Sequence, residues 1–151
     1  MMDTISNGLL FLGAFFGMEG VAYLTHKYLM HGSLWCLHES HHRTRQGIFE
    51  LNDLFGLFFS LPSIALIYLG VNHYPPLLWL GLGMTAYGFV YFVFHDVIVH
   101  RRIRIEYKPK SRYMKRIVRA HWIHHSTREK DGAVSFGFIY APPVETLRSS
   151  R

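Results

Sequence analysis

Three stretches of this chain are too apolar and too long to suit the half-buried helices of a water-soluble domain. Leu54 to Val71 and Leu77 to Phe94 hold no charged residue, and Ile5 to Thr25 holds only Glu19. A helix needs ~20 residues, within a range of about 17 to 25, to cross the hydrocarbon core of a bilayer. Each run reaches that length. As buried helices of a soluble protein all three would need covering, and a chain of 151 residues that is 50% hydrophobic has little left to cover them with. The expected fold is an all-α membrane protein with crossings at about 5–25, 54–71 and 77–95, built as one domain over residues 1–151.

The net charge of +6 admits nucleic acid as a partner, but the placement of the charge argues against it. All 16 Lys and Arg lie between Lys27 and Arg45 or between Arg101 and Arg151. With three crossings and the N-terminus outside, every one falls on the same side, and an excess of Lys and Arg marks the cytoplasmic side. The expected location is therefore a membrane, with that face in the cytoplasm. The start, Met1-Met2-Asp3-Thr4, has no basic segment and no small-residue cleavage site follows, so the first apolar run reads as a retained anchor. Cys36 is the sole cysteine, which excludes an intrachain disulfide.

Histidine is the second organising feature. Ten of the 11 fall in four clusters that repeat one pattern: His26 and His31, then His38, His41 and His42; later His95 and His100, then His121, His124 and His125. His73, in the short turn Asn72 to Pro76, stands apart and reads as an ordinary interfacial residue. Neutral imidazole is the commonest protein ligand for iron, zinc, copper and nickel. One histidine pair at helical spacing is a weak signal, whereas four clusters of repeated spacing are a strong one. Positions i, i+3 and i+4 share a helix face, so His38, His41 and His42 are expected to converge, as are His121, His124 and His125. Residues i and i+5 lie about 140° apart on an α-helix, so His26 and His31 are expected to serve two neighbouring ions rather than grip one. Ten imidazoles exceed the capacity of one ion, and two metals with about five each is the economical reading.

The remaining features are placed around that centre. Residues 5 to about 31 read as one helix, in which Gly13 and Gly17 suggest close packing. Glu19 is an acid inside a crossing, which is costly and marks a functional candidate; it either serves protons or water near the metals or pairs with a helix neighbour. A turn is expected at Gly32 to Cys36 and a short helix after it. Ligating histidines usually donate their other N–H to a carboxylate, carbonyl or water. Glu39, Glu50, Asn52, Asp53 and Asp96 are candidates for that role. Pro62 is expected to kink the second crossing. Gly81, Gly83, Ala86 and Gly88 allow tight packing of the third, whose Tyr87, Phe89, Tyr91, Phe92 and Phe94 are candidates to line an apolar channel. Residues 112–125 read as a basic amphipathic interfacial helix, 132–143 as a loop or hairpin capping the site, and the tail from Val144 as mobile. Arg101, Arg102, Arg104, Lys108 and Lys110 form a basic surface suited to an acidic electron carrier or to anionic headgroups.

A dimetal site at the end of an apolar helix bundle suits a substrate dissolved in the bilayer. Hydrolytic dizinc sites normally include carboxylate ligands and serve polar substrates, whereas a pair of ferrous ions with O2 attacks unactivated C–H bonds. At Gly17-Met18-Glu19, His26 to Gly32, Phe49 to Asp53, Met84 to Gly88, His95-Asp96, Val99-His100-Arg101 and Val134 to Pro143, the chain resembles the integral-membrane fatty acid hydroxylase superfamily of non-haem diiron enzymes, and within it the bacterial β-carotene 3-hydroxylases. The histidine pattern carries the superfamily and the flanking segments carry the carotenoid branch. The resemblance implies hydroxylation at C3 of β-ionone rings, converting β-carotene to β-cryptoxanthin and zeaxanthin with O2 and reduced ferredoxin. It further implies that the ten clustered histidines bind two iron ions. The competing expectations are a carotenoid ketolase or a lipid hydroxylase or desaturase on the same ligands and, more remotely, a non-catalytic metal or haem subunit.

Overall fold

The computed structural model describes residues 4–44 and 47–149 and contains helices but, among those residues, no strand. Met1, Met2, Asp3, Arg45, Gln46, Ser150 and Arg151 lie outside the described residues, and with them the expectation drawn from the first three positions and part of the expected basic charge.

Helix α1 (Thr4–Leu24) runs without interruption into a wider π-helical stretch, Thr25–Ser33. The chain kinks at Gly32, whose φ of −123° and ψ of −119° are non-helical, and turns at Leu34, both inside the segment expected to be a turn, while α2 (Trp35–His38) begins before that segment ends. A 3₁₀ turn, Glu39–His42, follows. Helix α3 (Asp53–Asn72) continues through Pro62, and α4 (Pro76–Tyr91) starts with proline in its first turn, where the missing N–H costs nothing. A second π-helical stretch, Phe92–Val99, extends α4. Helix α5 (Arg112–His125) is capped by the Ser111 side chain, which accepts from the Met114 N–H at 3.1 Å.

Three of these helices, Thr4–Ser33, Asp53–Asn72 and Pro76–Val99, are long and apolar enough to cross a membrane. Their outward faces present Leu9, Leu12, Phe16, Leu57, Phe58, Leu61 and Phe89, all exposed. An exposed apolar surface of that extent is what lipid, not water, stabilises. Helix α4 packs against both α1 and α3. Glycine permits both approaches: a Cβ at Gly83 would meet the Phe11 carbonyl oxygen and, at 2.8 Å, Ala14 Cβ, and one at Gly81 would meet Ile67 and Ser63. Gly13 and Gly17 do not act this way, since a Cβ at either would meet nothing within 4 Å. Ser63 adds a polar clamp between α3 and α4 by donating to Gly81 O at 2.9 Å and meeting Thr85 Oγ1 at 2.8 Å.

At the end of the bundle where α1 and α4 finish and α3 begins, α5 lies with Ile117 and Ala120 turned inward. Residues 144–149, expected to be mobile, instead form a short helix, α6 (Val144–Ser149). Leu147 inserts against Ile117, Ala120 and Ala141, so the tail is held by the apolar face of α5, and that contact is invisible in the tail's own composition.

Candidate metal centre

The ten clustered histidines gather into two adjacent sets at this end of the bundle. His26, His31, His38, His42 and His124 form one set and His41, His95, His100, His121 and His125 the other, with the nitrogens of each set within 4.8 Å of one another. His73 is exposed at the opposite end of α3.

The division differs from the sequence-based expectation in two ways. His26 and His31 fall in the same set, and so do His95 and His100. The reason is local. Both pairs sit on the π-helical stretches, closed by i to i+5 hydrogen bonds such as His100 N to His95 O at 2.9 Å and Leu34 N to Leu29 O at 2.8 Å. The wider turn swings i+5 towards the face of i, and the rings come within 5.3 Å and 4.4 Å between centroids. Conversely, His41 parts from His38 and His42, and His124 from His121 and His125. The His41 and His42 rings stand at 80° to each other, one directed to His95 and the other to His38.

In the first set every Nδ1 is engaged by an oxygen that can only accept. His42 donates to Thr127 O (2.8 Å), His31 to Lys130 O (2.9 Å), His124 to Val134 O (3.0 Å), His26 to Phe136 O (3.1 Å) and His38 to Asn52 Oδ1 (2.7 Å). Four of these acceptors are backbone carbonyls of residues 127–136, so the stretch leading from α5 into the capping segment orients the imidazoles. Ser135, between two of the acceptors, takes a positive φ of 64°, an uncommon and strained conformation that turns the carbonyls on either side of it to different histidines. The Nδ1–H tautomer leaves each Nε2 as a lone pair, and burial of the side chains favours the neutral ring. His38 is pushed down to about 3 and His42 to about 4 by burial and neighbouring imidazoles, and His41, His121, His124 and His125 are lowered for the same reasons.

The lone pairs nevertheless face one another. Nε2 atoms approach at 3.2 Å between His26 and His38, His31 and His124, and His42 and His38, and at 3.0 Å between His41 and His95 and between His100 and His121. In the first set no proton is available to bridge such a pair. Two nitrogens bound at right angles to one ion with bonds of ~2.1 Å would sit about 3.0 Å apart. Buried Nε2 of His125, with no hydrogen-bond partner, completes the second set. The donor set fits two cations with five nitrogens each.

In the second set His41 and His95 stand beside acids instead of carbonyls. His41 Nδ1 donates to Glu50 Oε2 at 2.8 Å, and His95 Nδ1 lies 3.5 Å from Asp96 Oδ1. Arg102 ties these acids together, reaching Glu50 at 3.3 Å, Asp53 at 2.7 Å and Asp96 at 2.9 Å. It is turned inward, not towards a docking partner as its place in a basic run suggested. Glu39 is also reassigned: it pairs with Arg43 at 2.7 Å on the surface and touches no imidazole. Asp53 supports the site only through Arg102 and the Glu50 N–H.

Glu19 meets no histidine either. Its Oε2 accepts from Tyr87 OH at 2.7 Å, and its Oε1 accepts from three consecutive backbone N–H groups, Phe138, Ile139 and Tyr140, at 2.8, 2.9 and 3.0 Å. The lone acid of this apolar helix thus fastens the capping segment to α1 and α4. Gly137 has no alternative here, because a Cβ would fall 2.7 Å from the carboxylate.

A cavity of about 510 Å³ opens between α1, α3 and α4 and ends at the first set, with Met18, Phe55, Phe59, Met84, Tyr91 and Phe138 among its walls and His26 and Asp96 at its polar end. Of the aromatic residues expected to line a channel, Tyr87, Tyr91 and Phe92 do so, whereas Phe89 points outward and Phe94 is not part of the cavity wall. Gly56 and Gly88 border the space, and a Cβ at either would meet nothing within 4 Å. The sequence does not mark the backbone carbonyl acceptors or Phe138 as parts of the site, and it gives Arg102 a surface role instead of this one. A carbonyl has no residue signature, Arg102 was hidden among surface cations, and Phe138 was one aromatic in an apolar loop.

The family model described as fatty acid hydroxylase matches residues 11–143. A β-carotene hydroxylase of Pantoea ananas is 50% identical over 149 residues, covering 99% of this chain and 85% of that protein. One from a Paracoccus strain is 43% identical, covering 95% and 90%. A chloroplastic β-carotene hydroxylase of Capsicum annuum is 42% identical over 134 residues, 86% of this chain but 42% of the longer plant protein. No solved structure matches the chain.

Proposed function

The chain belongs to the fatty acid hydroxylase family, and from that premise we propose that it is a β-carotene 3-hydroxylase, acting as one membrane domain over residues 1–151. The observation that carries the reading is the junction of an apolar cavity with two sets of five facing imidazole nitrogens. Relatives up to 50% identical over nearly the full length are β-carotene hydroxylases, which supports the same substrate. His26, His31, His38, His42 and His124 would hold one iron ion, and His41, His95, His100, His121 and His125 the other. When bound, the two irons supply the redox chemistry that activates O2. In balance, one oxygen atom enters a C–H bond as hydroxyl and the other leaves as water, with two electrons and two protons drawn from a donor such as reduced ferredoxin and from solvent.

The protein's part is positional. Met18, Phe55, Phe59 and Met84 offer an unpolarised bed to a β-ionone ring and the polyene behind it, and the membrane helices open towards the phase in which carotenoids dissolve. Phe138 and the segment 132–143 screen the imidazoles from water, which protects a reactive oxidant from side reactions. The basic residues at this end favour a cytoplasmic site with the N-terminus outside, where Arg101, Arg104, Lys108 and Lys110 suit an acidic electron carrier or anionic lipid.

The test is pigment analysis of cells that accumulate β-carotene, with metal measured on the purified protein. The expected result is β-cryptoxanthin and zeaxanthin, about two irons per chain, and loss of hydroxylation with each His→Ala change in the ten but not with His73→Ala. Ketones at C4 in place of hydroxyls at C3, or a Soret band from haem, would overturn it.

A further inference from the structure

In a β-ionone ring C4 is allylic to the ring double bond and C3 is not, so the weaker C–H bond lies at C4. Oxidation at C3 therefore requires the site to override intrinsic reactivity by position. Resting on the functional reading above, we infer that Phe138 is the specificity-determining residue that presents C3 and withholds C4.

Its ring lies against both sets of imidazoles. It stacks on His26 at 5.7 Å with an interplanar angle of 10°, meets His95 edge-on at 5.3 Å and covers His121 at 5.7 Å. Tyr91 braces it at 4.4 Å. Phe138 thus belongs to the cavity wall and to the surroundings of both sets at once, and at 6% exposure it has no route outward. Its backbone is fixed as well, because its N–H donates to Glu19 Oε1 at 2.8 Å. C3 stands across the ring from the carbon that bears the polyene, so it leads when a ring enters end-on. A rigid aromatic stop at the cavity's end keeps the ring in that attitude. Removing the stop lets the ring advance and tilt, and the allylic C–H then reaches the oxidant. A displacement of about 1 Å at a reacting centre costs ~10²-fold in rate, so a wall that shifts the ring by a methylene's width is enough to decide between neighbouring carbons.

The experiment compares wild type, Phe138→Leu and Phe138→Trp in cells accumulating β-carotene, reading the ratio of C4- to C3-oxidised products by chromatography and mass spectrometry, with metal per chain measured on each purified protein. Phe138→Leu is expected to raise the C4 fraction at least about tenfold with metal content unchanged. Phe138→Trp, which narrows the end of the cavity, is expected to lower total oxidation about tenfold with metal content again unchanged, and to weaken binding of β-carotene to the metal-free protein in nanodiscs, read from the carotenoid's absorption. A wild-type product ratio in a metal-replete Phe138→Leu protein would overturn the inference while leaving the functional reading intact. Absence of C3 products from the wild type would overturn both. If Phe138→Leu does not accumulate, Phe138→Met, closer in volume, decides by the same ratio.

Discussion

Replacing Glu19 by Gln keeps the shape of the side chain and removes its charge. One carboxylate oxygen accepts three backbone N–H groups, from Phe138, Ile139 and Tyr140. Hydrogen bonds to a charged group contribute about 1.5–3 kcal/mol each and neutral ones about 0.5–1.5. The exchange therefore costs about 1 kcal/mol per bond, or roughly 2–3 kcal/mol once three donors sharing one oxygen are discounted. At about 1.4 kcal/mol per factor of ten, local opening of the segment becomes about 30- to 150-fold more frequent. Hydrogen exchange followed by mass spectrometry on protein in nanodiscs measures this at the amides of residues 138–140. Because the same segment supplies Val134 O and Phe136 O to His124 and His26, Glu19→Ala should go further and release metal from the first set, seen as metal per chain falling towards half. Wild-type exchange at residues 138–140 in Glu19→Gln, together with full metal in Glu19→Ala, would show that something other than this carboxylate holds the segment.

Three further outcomes follow from the same geometry. Arg102→Ala leaves Glu50, Asp53 and Asp96 without their shared cation, and loss of one partner from a largely buried ionic group should cost about 3 kcal/mol, visible as a lower unfolding temperature and restored only in part by Arg102→Lys, which cannot reach three acids at once. Gly83→Leu drives a side chain into the Phe11 carbonyl on α1, and overpacking of this kind should cost about 1–3 kcal/mol, measured by thermal unfolding in detergent, with Gly88→Ala, which meets nothing, close to neutral. The metal-free protein should lose stability as pH falls from 6.5: His38 and His42 are depressed to about 3 and about 4 in the fold, so the unfolded chain takes up protons first and is favoured across that window. Bound metal should move the loss to lower pH, since the ligands must stay deprotonated, and a flat unfolding profile between pH 4 and 6.5 would contradict the argument.

What was legible in the sequence was whatever composition controls directly. A run without charges of bilayer length dictates a crossing helix, and Asp53–Asn72 and Pro76–Val99 fall within a few residues of the expected crossings. The amphipathic alternation of residues 112–125 likewise named α5 to the residue. The gathering of ten histidines at one end followed from the placement of the crossings, and the capping place of 132–143 from its being apolar yet too short to span. Other expectations failed because they assumed ideal geometry. The α-helical angle between i and i+5 does not hold on a π-helical turn, and Gly13-x3-Gly17 had no partner helix to receive. Of the two roles open to Glu19, pairing with a helix neighbour holds through Tyr87, but its backbone-amide partners more than a hundred residues away had no local sign.

The sequence by itself determined three helices long and apolar enough to cross a bilayer and ten imidazoles gathered at one end of them, because hydrophobic length and ligand spacing are local properties of the polymer. Only the tertiary structure decided which five nitrogens face each other, that carbonyls orient one set while carboxylates tied by Arg102 stand behind His41 and His95 of the other, and that Phe138 lines the cavity against both sets. Those are relations between segments far apart in the chain, and neither a backbone carbonyl nor the pitch of one helical turn leaves a mark that residue identity can report.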